Sequence, residues 1–267
     1  VQELLTMLNT FSTRGSSLVV TGAGGCGTST IAYNLANCIV NLGYTVLLVD
    51  LDTVGRSQAY ITKDSYEAVH SHDPNNASLK VALNNPAAGV GRHVNILKPG
   101  FNLLTMGIGG DIVKCSELSD RKKMLQFANS VRDNYNFIVY DSPLGMAVDT
   151  CSDITYTADN IVFTVDCSTW GVMKALLAIA NIENNEMQEI MFNRAQILFN
   201  KDTQQDRLLG TKVKGVNDVL KQMDITVQEL TGDDPEYYFS DMRVCGVMPY
   251  DDKHNQCWFS NKSYSDS

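Results

Sequence analysis

The sequence predicts an α/β fold: a twisted, mostly parallel sheet of about seven strands with helices on both faces. Three observations carry this. Short apolar runs alternate along the chain with segments of helical apolar spacing, the pattern of repeated βαβ units. The first run, Ser17 to Thr21, leads straight into a glycine-rich loop that opens a helix. Two later runs stop on carboxylates, at Asp50 and Asp141, as strands do where an open parallel sheet gathers its chemistry along the carboxyl edge.

After the loop, Ser29 to Asn41 carries apolar residues at helical spacing, and Gly43 closes the helix. Further strands are expected at Thr45 to Asp50, Phe101 to Met106, Phe137 to Asp141, Ile161 to Val165, Gln196 to Asn200 and Val244 to Met248. Between Ile61 and Gly100 the chain is rich in Asn, Pro, Gly and His, which predicts irregular surface chain with one short helix near Leu79 to Leu83. Ser119 to Asn134, Thr169 to Met191 and Lys212 to Met223 read as the later helices, and Asp224 to Asp241 as an acidic connection. Residues 1–16 read as a helix and linker, and 253–267 as a polar tail. The opening on Val1 rather than Met sets the expectation of an upstream domain.

The 267 residues suffice for one such domain with its own core. With 21 basic against 30 acidic side chains the net charge is −9, which opposes a broad phosphate-binding surface and disfavours DNA as a partner. Seven cysteines are scattered without a C-x-x-C pair. That argues against a zinc site or a disulfide scaffold and fits a reducing cytoplasm. No apolar run approaches the ~18 residues of a membrane span. The tail sets Trp258 beside Phe259 but shows neither the apolar stripe nor the basic face of a direct membrane anchor.

The chemistry concentrates in Gly22-Ala23-Gly24-Gly25-Cys26-Gly27-Thr28-Ser29, which fits G-x-x-x-x-G-K-[ST] except at Thr28, where the lysine belongs. Glycines let backbone N–H groups close around an anion, and the following helix turns its positive end to the same charge. Gly22, Gly24, Gly25, Cys26, Gly27, Thr28, Ser29 and Thr30 are therefore the nucleotide-binding candidates, with the Ser29 hydroxyl as a Mg²⁺ ligand. The bland alternative is a tight strand-to-helix turn that binds nothing. Val46 to Asp52 reads as a buried strand ending in two carboxylates one residue apart, which strand alternation turns toward the same side. One of them can hold Mg²⁺ waters while the other orients an attacking water. Asp141, at the end of Phe137 to Asp141, offers another hard oxygen ligand to Mg²⁺.

These pieces, in this order, resemble the ParA/MinD branch of P-loop ATPases, whose deviant loop reads K-G-G-x-G-K-[ST]-[ST]. The resemblance runs from about Ser17 to Asp252 and makes 17–252 a nucleotide-binding domain. It sets Ala23 where the family has its dimer-reaching lysine and Thr28 where it has the phosphate lysine, so both cations are missing. Asp50 and Asp52 match the family's D-x-D with Gly55 following, which implies Asp52 as the residue that positions the water and Asp50 as the one on the Mg²⁺ side, and Asp141-Ser142-Pro143 matches its D-[ST]-P. Asn200-Lys201 resembles its adenine-contacting N-K, and Gly246-Val247-Met248-Pro249-Tyr250 its closing G-x-I-P-Y, which adds Asn200 and Pro249 to the nucleotide site. Within the family the eroded loop looks most like the ATPase domain of TadZ/CpaE-type pilus-assembly proteins. Arg56, after Gly55, and Lys174, near the start of a helix, are candidate substitutes for the missing cations.

The resemblance implies ATP and Mg²⁺ as cofactors and a homodimer acting as a positional switch. Two readings stay open. One is a scaffold with impaired or lost hydrolysis that docks a protein partner in a pilus, secretion or conjugation assembly, recruited by that partner to a pole or membrane. The other is a slow ATPase whose dimer cycles in DNA partitioning or cell-pole positioning. A third and weaker reading follows relatives that bridge an iron–sulfur cluster with cysteines on either side of the aspartate, here Cys115 and Cys151. Cys26, near a helix start, is a candidate for a lowered thiol pKa.

Overall fold

The computed structural model describes residues 14–52, 57–71, 79–85, 91, 93–105, 118–202, 207–208, 211–232 and 237–249. Its strands are β1 (Ser16–Gly22), β2 (Val46–Asp50), β3 (Asn95–Lys98), β4 (Phe101–Leu104), β5 (Phe137–Asp141), β6 (Asn160–Asp166), β7 (Ala195–Asp202), β8 (Arg207–Leu208), β9 (Thr211–Lys212) and β10 (Arg243–Pro249). Among the described residues eight form one sheet in the order β10-β7-β6-β1-β5-β2-β4-β3, and β8 and β9 make a small antiparallel pair. Every neighbouring pair of the large sheet is parallel except β3 with β4.

The helices are α1 (Thr28–Asn41), α2 (Lys63–Ser71), α3 (Leu79–Asn84), α4 (Arg121–Arg132), α5 (Ser152–Thr157), α6 (Thr169–Ala180), α7 (Asn185–Arg194) and α8 (Val216–Thr231). Strand alternation sorts the core. Leu18 and Val20 of β1 join Leu48, Leu103 and Val139 on one face, packed under Ile31, Leu35 and Ile39 of α1 and Val69 of α2. Val19, Leu47, Val49, Ile138 and Tyr140 face the other way, under Leu79 and Leu83 of α3 and Met124, Phe127 and Val131 of α4. On that second face β6 and β7 continue the layer with Phe163, Val165, Ile197 and Phe199 beneath α6, α7 and α8. Because β1 is buried on both sides between β5 and β6, the loop that leaves it emerges at the centre of the sheet's carboxyl edge. No helix among the described residues is long and apolar enough to cross a membrane.

The expected α/β architecture holds, with four local corrections. The sheet has an eighth strand, β3, whose Asn-Ile-Leu-Lys run is too short and mixed to stand out; the turn through Gly100, at φ 80, folds it against β4. The stretch from Ile61 to Gly100 is not simply surface chain, since it supplies α2, α3 and β3, and Leu79, Ala82 and Leu83 are buried. Thr169 to Met191 is two helices rather than one. Asn184 stops the run and caps α7 by accepting from the Met187 N–H at 3.1 Å, a local bond that competes with continuing a helix. The last long helix begins at Val216, because Lys212 pairs in β9, and it continues through the supposed acidic connection to Thr231, where Gly232 at φ 76 ends it. The helix-and-linker start before Arg14 and the polar tail lie outside the described residues.

Removing the cap at the α6–α7 break tests this division. Asn184→Ala is expected to destabilise the chain by about 1 kcal/mol, read from urea unfolding. No loss would mean that the two helices are not separated by this cap.

Candidate functional site

The glycine loop is shaped from within and tied from outside. Gly25 and Gly27 have φ of 87 and 89, left-handed values that side chains rarely adopt. A Cβ on Gly22 would lie 2.5 Å from the Thr164 carbonyl, so only glycine lets the loop leave the strand so close to β6. Three side chains from two other elements then hold three successive carbonyls. Lys174 Nζ donates to the Gly24 oxygen at 3.3 Å, Lys201 Nζ to the Gly25 oxygen at 2.6 Å, and Asn200 Nδ2 to the Cys26 oxygen at 2.9 Å.

With the carbonyls drawn outward, the N–H groups are left for a ligand. Cys26 N–H reaches the Ala23 carbonyl, but those of Gly24, Gly25 and Gly27 have no acceptor among the described residues. Helix α1 also starts without a side-chain cap. The Thr28 N–H turns to the Cys26 sulfur, but the first-turn N–H groups of Ser29 and Thr30 are donors of the kind on which anions settle. Thr28 does not replace the missing cation: its hydroxyl turns back onto Cys26 Sγ at 3.1 Å. Burial pushes the Cys26 thiol pKa up, against the lowering expected of a helix start.

On the α1 side of the loop sits a carboxylate centre. Asp50 and Asp141 are register partners at the ends of β2 and β5, and both are 1% exposed. Asp50 accepts from the N–H of Asp52 at 3.0 Å and of Gln58 at 3.0 Å, and from the Thr105 hydroxyl at 3.2 Å. Asp141 accepts from Gln58 Nε2 at 2.7 Å, while Gln58 also donates to the Ser29 carbonyl at 2.9 Å. Ser29 and Ser57 share a hydroxyl bond at 2.7 Å. Burial, then the neighbouring Asp141 charge, raises the Asp50 pKa well above the ordinary carboxylate range. Burial raises that of Asp141 to about 6, against the bonds from Gln58, Ser29 and Ser57, with the charge of Asp52 adding to the rise.

Two buried carboxyls, the Ser29 hydroxyl and a buried Gln58 Oε1 that lacks any partner make an oxygen-rich, cation-poor centre. That donor set fits Mg²⁺, a hard ion that keeps several of its own waters and needs only one or two protein carboxylates. No group of three or more His, Cys, Asp or Glu side chains suited to a metal occurs among the described residues.

The candidates Gly22, Gly24, Gly25, Cys26, Gly27, Thr28, Ser29, Thr30, Asp50 and Asp141 thus come together. Asp52 stands beside them, past the end of β2, where strand alternation no longer aligns it with Asp50; its N–H folds back onto that carboxyl instead. Asn200 reaches the loop as a tether. Pro249 ends the edge strand β10, three strands from β1, or about 14 Å by strand spacing. Gly55, Arg56 and Cys115 lie outside the described residues, and Cys151 is buried in the core.

Sequence reasoning missed Ser57, Gln58 and Thr105 around the carboxylates and Asp166 behind the loop, and it named Lys201 only beside Asn200 as an adenine contact, not as the ammonium that holds the Gly25 carbonyl. Lys201 carries one structural signal: at φ 57 it is left-handed without being glycine, a strained conformation its contacts must hold.

A parallel sheet that delivers a glycine loop from its central strand into the first helix of the core defines the P-loop class of α/β proteins. Within that class the chain belongs to the AAA domain family AAA_31, which it matches over residues 18–193. It is similar to sporulation initiation inhibitor protein Soj of Bacillus subtilis (strain 168), at 23% identity over 152 residues. That match covers 56% of this chain and 57% of Soj, so the chain spans a little over half of the curated relative's length. Among solved structures it is similar to a ParA family ATPase from Chlorobium tepidum TLS, with a TM-score of 0.63 at 15% identity over 93% of this chain and 90% of that one. The septum site-determining protein MinD complexed with Mg-ADP, from Pyrococcus horikoshii OT3, matches with a TM-score of 0.59 at 15% identity over 93% and 86%. The fold is therefore of the ParA/MinD type.

The raised Asp141 pKa has a consequence for stability. Its folded value of about 6 lies above the ordinary 3.8, so the folded chain binds a proton that the unfolded chain releases between those values. The associated stabilisation is complete below about pH 4 and is lost as pH rises through 6. Without nucleotide or metal, Asp141→Asn is expected to exceed the parent in stability at pH 7.5 by on the order of 3 kcal/mol, the gap falling to about half by pH 5 and closing near pH 4. Denaturant titrations across that range measure it, and a gap independent of pH would contradict the assignment.

Proposed function

We propose that the chain is an ATP-binding, dimeric localisation or scaffold protein of the ParA/MinD type, with impaired or absent hydrolysis, that docks a protein partner in a larger surface assembly. The observation that carries this reading is the pairing of a preformed anion cradle with the absence of a cation at Thr28. Free N–H groups at Gly24, Gly25 and Gly27 and the uncapped start of α1 support phosphate binding. The oxygen set of Ser29, Asp50 and Asp141 supports Mg²⁺ held alongside. Mg²⁺ held by Ser29, Asp50 and Asp141 would supply positive charge to offset that of the phosphates. What the loop lacks is the fixed positive charge that stabilises phosphoryl transfer, where electrostatic stabilisation does most of the work. Binding and turnover are therefore separated by residue type.

On this reading Ser29 and Asp141 exchange their present bonds to the Ser57 hydroxyl and the Gln58 amide for the metal. Ser57 and Gln58 then respond to nucleotide, which suits a state-dependent surface for a partner or a second copy. The structure of MinD complexed with Mg-ADP, which shares this fold, supports the choice of ligand. A slow ATPase acting as a dimerisation switch is the second reading. It is favoured by Asp52, whose charge is felt at Asp141, and by the likeness of fold to a ParA family ATPase.

Single-turnover measurements separate the two. With protein in excess over labelled ATP and Mg²⁺, the label is expected to bind and to remain ATP over hours. Steady conversion to ADP that disappears in Asp52→Ala would instead establish the switch. Failure to bind label at all would remove both readings.

A further inference from the structure

The cation missing from Thr28 has a candidate replacement in space. Two ammonium groups lie against the loop, and they differ in what else they touch. Lys201 sits 3.1 Å from Asp166 Oδ2, so its charge is matched by a carboxylate. The Ser168 N–H and hydroxyl, with that ammonium, hold the Asp166 carboxyl below its usual range despite its burial. Lys174 has no carboxylate partner among the described residues. Its contacts are the Gly24 carbonyl and the face of the Trp170 ring, 5.7 Å from Nζ to the ring centre, within cation–π range.

The position of Lys174 is set by packing. Ser168 caps α6 by accepting from the Gly171 N–H at 3.0 Å. A Cβ on Gly171 would lie 2.4 Å from Asp166 Cβ, so only glycine lets the first turn of α6 press against the end of β6. Lys174, one turn further along, is thereby carried to the rim of the loop. There Gly24, Gly25, Ser168, Trp170 and Lys174 line a small open cavity together with Asp166, whose charge Lys201 matches. Gly24 and Gly25 are exposed, and Trp170 is 68% exposed, an unusual state for the largest side chain in the alphabet.

We propose that Lys174 supplies from α6 the positive charge toward a bound triphosphate that Thr28 does not supply from α1, with Trp170 steadying its stem. This rests on the nucleotide reading above and adds the residue that makes it electrostatically workable. A lysine on a flexible four-carbon stem can exchange a neutral carbonyl for a phosphate oxygen, and the charged partner is the stronger acceptor.

Calorimetric titration of the full chain with Mg-ATP tests this, using the parent, Lys174→Ala, Lys174→Gln and Lys174→Arg. Glutamine keeps an N–H donor for the Gly24 carbonyl but has no charge, so it separates a phosphate-facing cation from a mere loop tether. The Ala and Gln variants are expected to weaken ATP binding by roughly 10- to 100-fold, while Arg stays close to the parent. Melting temperatures without nucleotide are expected to be unchanged. If Gln binds as tightly as the parent, Lys174 is only a tether and the proposal fails. If Ala also binds unchanged, it contributes nothing and the proposal fails again while nucleotide binding stands. A parent that binds no ATP overturns the nucleotide reading and this one together.

Discussion

Asp50 and Asp141 end neighbouring parallel strands at the same register, and the geometry of the sheet forces their carboxyls together away from water. Like charges in a poorly hydrated place cannot both ionise cheaply, and much of the surrounding chain answers that constraint. Gln58 donates through its backbone to one carboxyl and through its side chain to the other. Thr105 and Ser57 add hydroxyls. None of these groups carries charge, so they soften the conflict without removing it. The raised pKa of both carboxyls is what remains. A divalent cation resolves it directly, which is why the metal and nucleotide belong to one argument.

The loop answers the opposite need. It gathers N–H dipoles with no charge of their own, and such a cradle works only if its carbonyls are kept out of the way. Lys174, Lys201 and Asn200 do this from α6 and β7, far along the chain. A loop held by three outside donors is stiff before any ligand arrives, which lowers the entropy lost on binding. Loss of the loop's own lysine therefore removes charge without removing shape.

Much of this was legible in the chain. The order of strand, glycine loop and helix is local, as are the apolar runs that stop at Asp50 and Asp141. Periodicity over a few residues reports such features faithfully. It misled where side chains compete with backbone. Asn184 ends a run whose apolar spacing continues through it, and Gly232, not Met223, stops α8. Strand β3 has too few apolar residues to declare itself and exists because β4 offers it an edge.

By itself the sequence determined the class of fold, the place of the loop and the identity of the missing lysine, because each depends on residues adjacent along the chain. Tertiary structure alone decided what surrounds that gap. Gln58 reaches Asp141 across 83 positions and Lys174 reaches Gly24 across 150. No local pattern encodes such meetings. They arise because parallel strands with crossover helices bring the carboxyl ends of distant segments to one edge, where the charge of each is judged against neighbours the chain does not list in order.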